Sequence, residues 1–384
     1  MIVQIIIEKL KEINRIEERK IKKVNLKMEK DIQGKLNYVF EKLGQNPSVL
    51  EECIKIGEGA WHEVYKIKGR DRKELVVRIK KDKAYGEIQE FNKSELLTEY
   101  ETTKLYYKQA NKCISQFCPT DFDYYIDEHI VFTIESFMGR SLKLNDLNQT
   151  QAYDFGLILG EFLKRMHTEK PTIKGFGNLI WNGRSLEGDE KLDIEQIWRK
   201  ENDDYIGTLD ELNTSELTFD RQKVNDRIHS IINNRRKEIQ KVSLVNQDVT
   251  PENIIFSENR VSLIDPFPKL DFDLKFAGYF YFCYKFLLPA YSSAPRYITN
   301  EYEKNRLVLS SIADGFARQY TNKDQNEYKK LLDEYILWLL LEVSDHYSIL
   351  MEGDISQKIR LKMGDQNIIK DRLNLCLEEL QGLT

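Results

Sequence analysis

Three side chains between positions 246 and 265 are of types, and at a spacing, that could accept a proton and hold a hard cation. In "NQDVTPEN", Asp248 precedes Asn253 by five positions, and "LIDPF" places Asp265 one short strand further on. A carboxylate beside a hydroxyl can accept its proton as the oxygen attacks. A carboxamide oxygen and a second carboxylate are hard oxygen ligands of the kind Mg²⁺ takes, and a divalent cation there offsets phosphate charge during transfer. Asp, Pro and Asn are also common turn formers, so the stretch taken alone reads equally as a hairpin connection.

Two earlier segments could serve the same chemistry. In "GEGAWHEVYKIKG", Gly57 and Gly59 lie between strand candidates, where the missing Cβ lets a ligand approach the backbone and exposed amides can meet phosphate oxygens. His62 stands where a GxGxxG pattern would have its third glycine, and an ordinary glycine-containing hairpin accounts for the same residues. In the next strand candidate, "ELVVRIKK", the period of two puts Val76, Arg78 and Lys80 on one face and Val77 and Ile79 on the other. A helix then follows, "SELLTEYETTKLYYKQANK", with Ser94 as its expected N-cap. It carries Glu95 and Glu99, which could pair with such a cation or simply be solvated.

These parts must be held by a frame, and the chain's texture suggests one. Short strand candidates occupy Val49 to about Ser136, ending with "HIVFTIESF". Beyond "MGRSLKLNDLNQ" the pattern is mainly helical, interrupted by the paired strands around Asp248. The order is a glycine hairpin, a strand cation, a helix carboxylate, a crossover strand, a long helix, then Asp-x4-Asn and the second Asp. In that order the sequence resembles the aminoglycoside phosphotransferase and choline kinase superfamily, small-molecule kinases with a protein-kinase-like fold. The family's His-Gly-Asp-x-x-x-x-Asn loop corresponds to "NQDVTPEN" and its metal-binding strand to "LIDPF". "LKRMH", "GFGNLIW" and "DFDLKFAGY" are similar to its helical lobe, and the likeness covers about residues 50 to 345.

The resemblance implies an α+β, two-lobed fold with a small antiparallel-sheet N-lobe and a larger, mainly helical C-lobe. Residues 1–47 would be a helical extension, 48–136 the nucleotide-binding lobe and 137–384 the lobe with the catalytic loop and acceptor site. It makes Asp248 the catalytic carboxylate and Asn253 and Asp265 the Mg²⁺ ligands. Gly57, Gly59, Arg78, Glu99, Glu135 and Phe137 become contacts for ATP or GTP, with Glu99 the ion-pair partner of Arg78 and Lys80 the alternative cation. His167 is expected to be a structural residue supporting the catalytic loop. Asp271 and Asp273 are expected to start or cap a helix, with acceptor binding by Asp271 the other reading. The implied activity is transfer of the γ-phosphate to a hydroxyl of a small molecule, an aminoglycoside-like antibiotic first, with choline, homoserine or a sugar also compatible. Asn246 and Gln247 replace the usual His-Gly and Pro266 follows Asp265, which motivates the alternative of a catalytically weak or dead binding module.

Composition sets the remaining limits. The chain has 384 residues, 41% hydrophobic and 32% charged, enough for a large core, and a net charge of -5. That charge argues against a broad grip on nucleic acid or an anionic membrane. Five scattered cysteines without metal-type spacing are expected to be free thiols in a reducing cytoplasm. The longest apolar run, "YILWLLLEV", falls far short of the roughly 20 residues that span a bilayer. The Lys/Glu-rich first 45 residues carry apolar positions at helical spacing, expected either to pack on the chain's own domain or to form a homodimer. Met28 is an alternative start.

Overall fold

The computed structural model describes residues 34–42, 50–59, 61–69, 73–84, 87–257 and 260–384. By its packing the chain forms two units: residues up to Phe91 with Asp121–Phe137, and Asn92–Thr120 with Met138–Thr384. The helix Lys93–Cys113, expected in the nucleotide-binding lobe, is grouped with the second unit.

The first unit is a five-stranded antiparallel sheet in the order Leu50–Glu58, His62–Gly69, Glu74–Lys80, Val131–Ser136, Phe122–Ile126. Alternation along its strands sends Tyr65, Ile67, Val77, Ile79 and Phe132 to one face, where they bury against Leu36, Val39 and Phe40 of the helical residues 34–42. Those three share a helix face by their three- and four-residue steps. This part of the extension therefore packs on its own unit. The dimer expectation otherwise falls on residues 1–33 and 43–45, outside those described. The opposite face of the sheet carries Val76, Arg78 and Lys80, as the alternation requires.

The second unit opens with helix Lys93–Cys113. Its N-cap is Asn92, not Ser94: the Asn92 side-chain oxygen accepts from the amides of Ser94 and Glu95, and its amide donates to the Glu95 carboxylate at 2.7 Å. Helices Gln149–Thr168 and Arg306–Tyr320 cross closely because both carry glycines at the contact. A Cβ at Gly156 would overlap the Ile312 carbonyl, and one at Gly315 the carbonyl of Tyr153. A four-stranded sheet in the order Val242–Asn246, Pro268–Phe272, Phe176–Trp181, Leu186–Glu190 and a two-stranded one, Ile254–Ser257 with Arg260–Leu263, lie in this mainly helical unit. The two strands from "GFGNLIW" onward are too short to show a period of two in the sequence. The aromatic run from Asp273 forms a helix to Phe282 that continues through a π-helical turn, Cys283–Leu287. Among the described residues no helix is long and apolar enough to cross a membrane.

Candidate active site

The second unit gathers Asp248, Asn253 and Asp265 at the ends of two paired strands. Val242–Asn246 runs antiparallel to Pro268–Phe272 with Asn246 opposite Pro268, so the segments bearing the two carboxylates meet at one edge. Asn246 is buried there, and its side-chain oxygen accepts from the Asp248 amide at 3.1 Å and the Phe267 amide at 2.8 Å. The Gln247 amide donates to the Phe267 carbonyl at 3.0 Å. Asn246 and Gln247, where the sequence lacks the expected His-Gly, thus tie the Asp248 loop to Phe267, two residues after Asp265.

A single 3₁₀ turn, Pro251–Asn253, then reverses the chain. Asn253 Nδ2 donates to the Asp248 carbonyl at 3.3 Å, and the Asn253 carbonyl accepts from the Ile264 amide at 3.0 Å. Asp265 has φ 51°, a left-handed conformation that Asp tolerates better than most non-glycine residues. Its amide donates to the Tyr107 hydroxyl at 3.1 Å. Tyr107 was not marked by the sequence, where it is one aromatic among several on the buried face of its helix.

Asp248 is half-buried and Asp265 exposed. Burial raises the Asp248 carboxyl above its ordinary range and the Asp265 charge raises it further, against hydrogen bonds from Thr250 and Asn253 that lower it. Two carboxylates in mutual repulsion beside a fixed carboxamide suit a divalent cation. Among the described residues no three His, Cys, Asp or Glu side chains converge on a metal-sized site.

In the first unit the glycine hairpin joins Leu50–Glu58 to His62–Gly69, with Gly57 opposite Val64 and a bulge between Lys55 and Gly57. The Gly59 amide donates to the His62 carbonyl at 2.9 Å. Lys81 Nζ donates to Glu58 at 2.9 Å and to the Gly59 carbonyl at 3.1 Å. Together with Lys55 it holds the Glu58 carboxyl down at about 2. A Cβ at Gly57 would meet only Val64 at 4.0 Å, and one at Gly59 only the His62 carbonyl at 3.9 Å. Neither glycine is required by the fold. Gly59→Ala should therefore leave the melting temperature unchanged while raising the KM for nucleotide about tenfold; an unchanged KM would remove the hairpin from the nucleotide site.

Arg78 donates through Nε and Nη2 to Glu135 Oε1, both at 2.9 Å, from the neighbouring strand on the same sheet face. Glu135, expected as a nucleotide contact, has a side chain 3% exposed and committed to this pair. Phe137 lies under Lys66 Nζ, 4.3 Å from its ring centre, and Lys80 Nζ is 5.3 Å from the Trp61 ring. Glu99 is exposed on helix Lys93–Cys113 in the other unit.

The remaining candidates have structural surroundings. His167 is buried, hydrogen-bonded through Nδ1 to the Tyr320 hydroxyl at 2.8 Å, and burial lowers it to about 3. Its carbonyl accepts from the Ser243 hydroxyl on strand Val242–Asn246 at 2.6 Å. Asp271 sits inside a strand rather than at a helix start, buried and paired with Lys269 at 2.6 Å and Lys275 at 3.4 Å. Asp273 does begin a helix, and burial raises its carboxyl to about 6. A cavity of about 390 Å³ lined by His167, Lys241, Asp273 and Glu334 lies at the Val242 end of strand Val242–Asn246; Asp248, Asn253 and Asp265 are not among its walls.

No protein-family model matches the sequence. No curated protein matches it either. Solved structures do. A thermostable mutant of the aminoglycoside phosphotransferase APH(4)-Ia, in ternary complex with ADP and hygromycin B, is 12% identical over 89% of this chain and 97% of its own, with a TM-score of 0.50. A different mutant of the same enzyme, in ternary complex with AMP-PNP and hygromycin B, is 13% identical over 90% of this chain and 98% of its own, with a TM-score of 0.50. A Plasmodium vivax ethanolamine kinase superposes more loosely, at a TM-score of 0.45 with 16% identity over 87% of this chain and 84% of that one. At such identities the likeness is one of fold: this chain shares the α+β, kinase-like fold of the aminoglycoside phosphotransferase.

Proposed function

We propose that the chain is an ATP- or GTP-dependent phosphotransferase acting on a hydroxyl group of a small molecule. The observation that carries this reading is that the Asp248 loop is bonded to both flanks of Asp265, through Asn246 to Phe267 and through Asn253 to Ile264, within a fold shared with a phosphotransferase. In the second unit, Asp248 orients the acceptor hydroxyl and takes its proton, and its raised affinity for protons favours that transfer. Asn253 and Asp265 hold Mg²⁺, which supplies charge neutralisation for the phosphates when bound. In the first unit, the Gly57 and Gly59 hairpin and Arg78, oriented by Glu135, bind nucleotide phosphates. An arginine fork fixed by a carboxylate acts by geometry as well as charge. An aminoglycoside-like antibiotic is the first acceptor to test, because the helical unit is rich in acidic side chains that could receive amino-sugar cations. Choline, homoserine and sugars follow.

The test is incubation of the pure protein with ATP or GTP, magnesium and a panel of amino-sugar, choline-like and amino-acid alcohols, read by mass spectrometry. The expected product is one acceptor heavier by one phosphate. Phosphate on the protein alone, or on nothing in the panel, counts against the reading.

A further inference from the structure

Asn253 holds its side-chain amide with a long bond, Nδ2 to the Asp248 carbonyl at 3.3 Å. Its backbone is fixed from both sides by other parts of the second unit. The residue after it, Ile254, offers its carbonyl to the Leu142 amide at 2.8 Å, and Ser141 bridges to Ile255. The residue before it, Glu252, accepts through Oε1 from the Asn300 side-chain amide and from the Tyr302 hydroxyl. Those two donors lie 48 and 50 positions further on, in the stretch that leads into helix Arg306–Tyr320.

The two anchors are joined to each other. Asn145, three residues after Leu142, donates from its side-chain amide to Glu301 at 2.7 Å, and its side-chain oxygen accepts from the buried Asn305 at 3.0 Å. Glu301 and Asn305 belong to the same stretch as Asn300 and Tyr302, and Asn300 Nδ2 also donates to the Tyr302 hydroxyl at 2.9 Å. The bonds therefore run in a circuit from Ile254 through Leu142, Asn145 and residues 300–305 to Glu252, and the two ends of that circuit flank Asn253. Glu301 has φ 53°, a left-handed conformation that persists in a non-glycine residue where the surroundings impose it. Tyr302 is buried, and burial together with the Glu252 charge keeps its hydroxyl protonated and donating. An exposed carboxylate such as Glu252 is ordinarily left to water. Here two donors from one stretch converge on one of its oxygens.

We propose that Glu252 is a positioning residue: with Tyr302 it locks the turn Pro251–Asn253 so that the Asn253 side-chain oxygen is presented to the divalent cation. The proposal deepens the phosphotransferase reading and rests on it for the identity of the cation ligand. With Nδ2 given to the Asp248 carbonyl, Oδ1 is the atom of Asn253 that can face a cation. Residues that orient a metal ligand without touching the metal are worth about 10–100-fold in metal affinity. Glu252 acts here by accepting hydrogen bonds, so its charge is not the source of the effect and an uncharged acceptor of the same shape can replace it.

Binding of Mn²⁺·ADP to the full chain, followed by water-proton relaxation enhancement, tests this without catalysis. Glu252→Ala and Tyr302→Phe should each weaken Mn²⁺·ADP about tenfold. The double variant should be no weaker than Glu252→Ala, because both changes break the same bond. Glu252→Gln keeps the accepting oxygen and should stay within about twofold of wild type. By calorimetry, ADP in EDTA should bind all of these variants as it binds the wild type, a split that general loosening of the fold would not produce. The proposal is overturned by a loss in Glu252→Gln equal to that in Glu252→Ala, by unchanged Mn²⁺·ADP affinity in Tyr302→Phe, or by a parallel loss of metal-free ADP. The expected pattern in a protein that phosphorylates no acceptor would count against the phosphotransferase reading alone. Phosphoryl transfer by the wild type, with Mn²⁺·ADP affinity the same in every variant, would count against the positioning role alone.

Discussion

Asp248→Asn should lower kcat for phosphoryl transfer by about 10²–10⁴-fold, the usual worth of a positioned general base, with the melting temperature unchanged or slightly raised. The fold tolerates the change because the loop is held by the Asp248 backbone: its amide donates to Asn246 and its carbonyl accepts from Asn253. The side chain contributes a half-buried charge that burial and Asp265 both disfavour, and the amide removes that charge. Asp265 needs a different pair of variants. At φ 51°, Ala would add backbone strain of about 1–2 kcal/mol, whereas Asn visits the left-handed region readily. Asp265→Asn should therefore remain as stable as wild type while raising the magnesium concentration for half-maximal activity at least tenfold. Wild-type turnover and magnesium dependence in both Asp265→Asn and Asp265→Ala would end its assignment as a ligand.

Why these residues were legible in the sequence, and others not, follows from the range of the interactions. Asp248, Asn253 and Asp265 lie within eighteen positions, and the hairpin of Ile254–Ser257 with Arg260–Leu263 returns the chain between the last two, so local spacing brings the three segments together. The two-faced strand around Arg78 was equally readable, because period-two alternation is a property of the strand itself. What spacing cannot carry is a partner chosen across a sheet or between helices. Glu135 reaches Arg78 by strand register 57 positions away, and Tyr107 reaches Asp265 from a helix 158 positions earlier. The substitutions at 246 and 247 looked like losses when compared one position at a time. Asn246 accepts from two amides that no local pattern brings together, so its role depends on the pairing of two strands. The N-cap shifted from Ser94 to Asn92 for a local reason: the Asn92 amide also reaches the Glu95 carboxylate, giving that position three bonds where Ser would offer fewer.

Arg235→Met should be the most destabilising single change in the second unit, by about 3–5 kcal/mol at pH 8, because it strands a buried carboxylate. Arg235 donates to Glu334, to Glu201 at 2.6 Å and to Asn202 at 2.9 Å, and its guanidinium lies 4.2 Å from the centre of the Trp198 ring. Glu201 would keep Lys275 as a partner, but Glu334 is 1% exposed and would retain only the uncharged amide of Gln240. Methionine fills much of the volume without replacing the charge, so the loss reports electrostatics rather than a cavity. Burial already raises the Glu334 carboxyl, with Arg235 as the main opposing influence. Removing Arg235 raises it further, so the variant's Glu334 takes up a proton as pH falls and the penalty shrinks. Urea denaturation at pH 5 should show a deficit well below that at pH 8, and adding Glu334→Gln should recover much of the loss at pH 8 while changing little at pH 5. A deficit independent of pH, or below about 1 kcal/mol, would mean that Glu334 is not held ionised by Arg235. The network also reaches the start of strand Val242–Asn246, since Gln240 accepts from the Lys275 amide at 3.0 Å two residues before Val242. It is anchored there rather than at Asp248. The folded fraction of Arg235→Met should therefore keep its kcat, and activity should fall only where the protein unfolds.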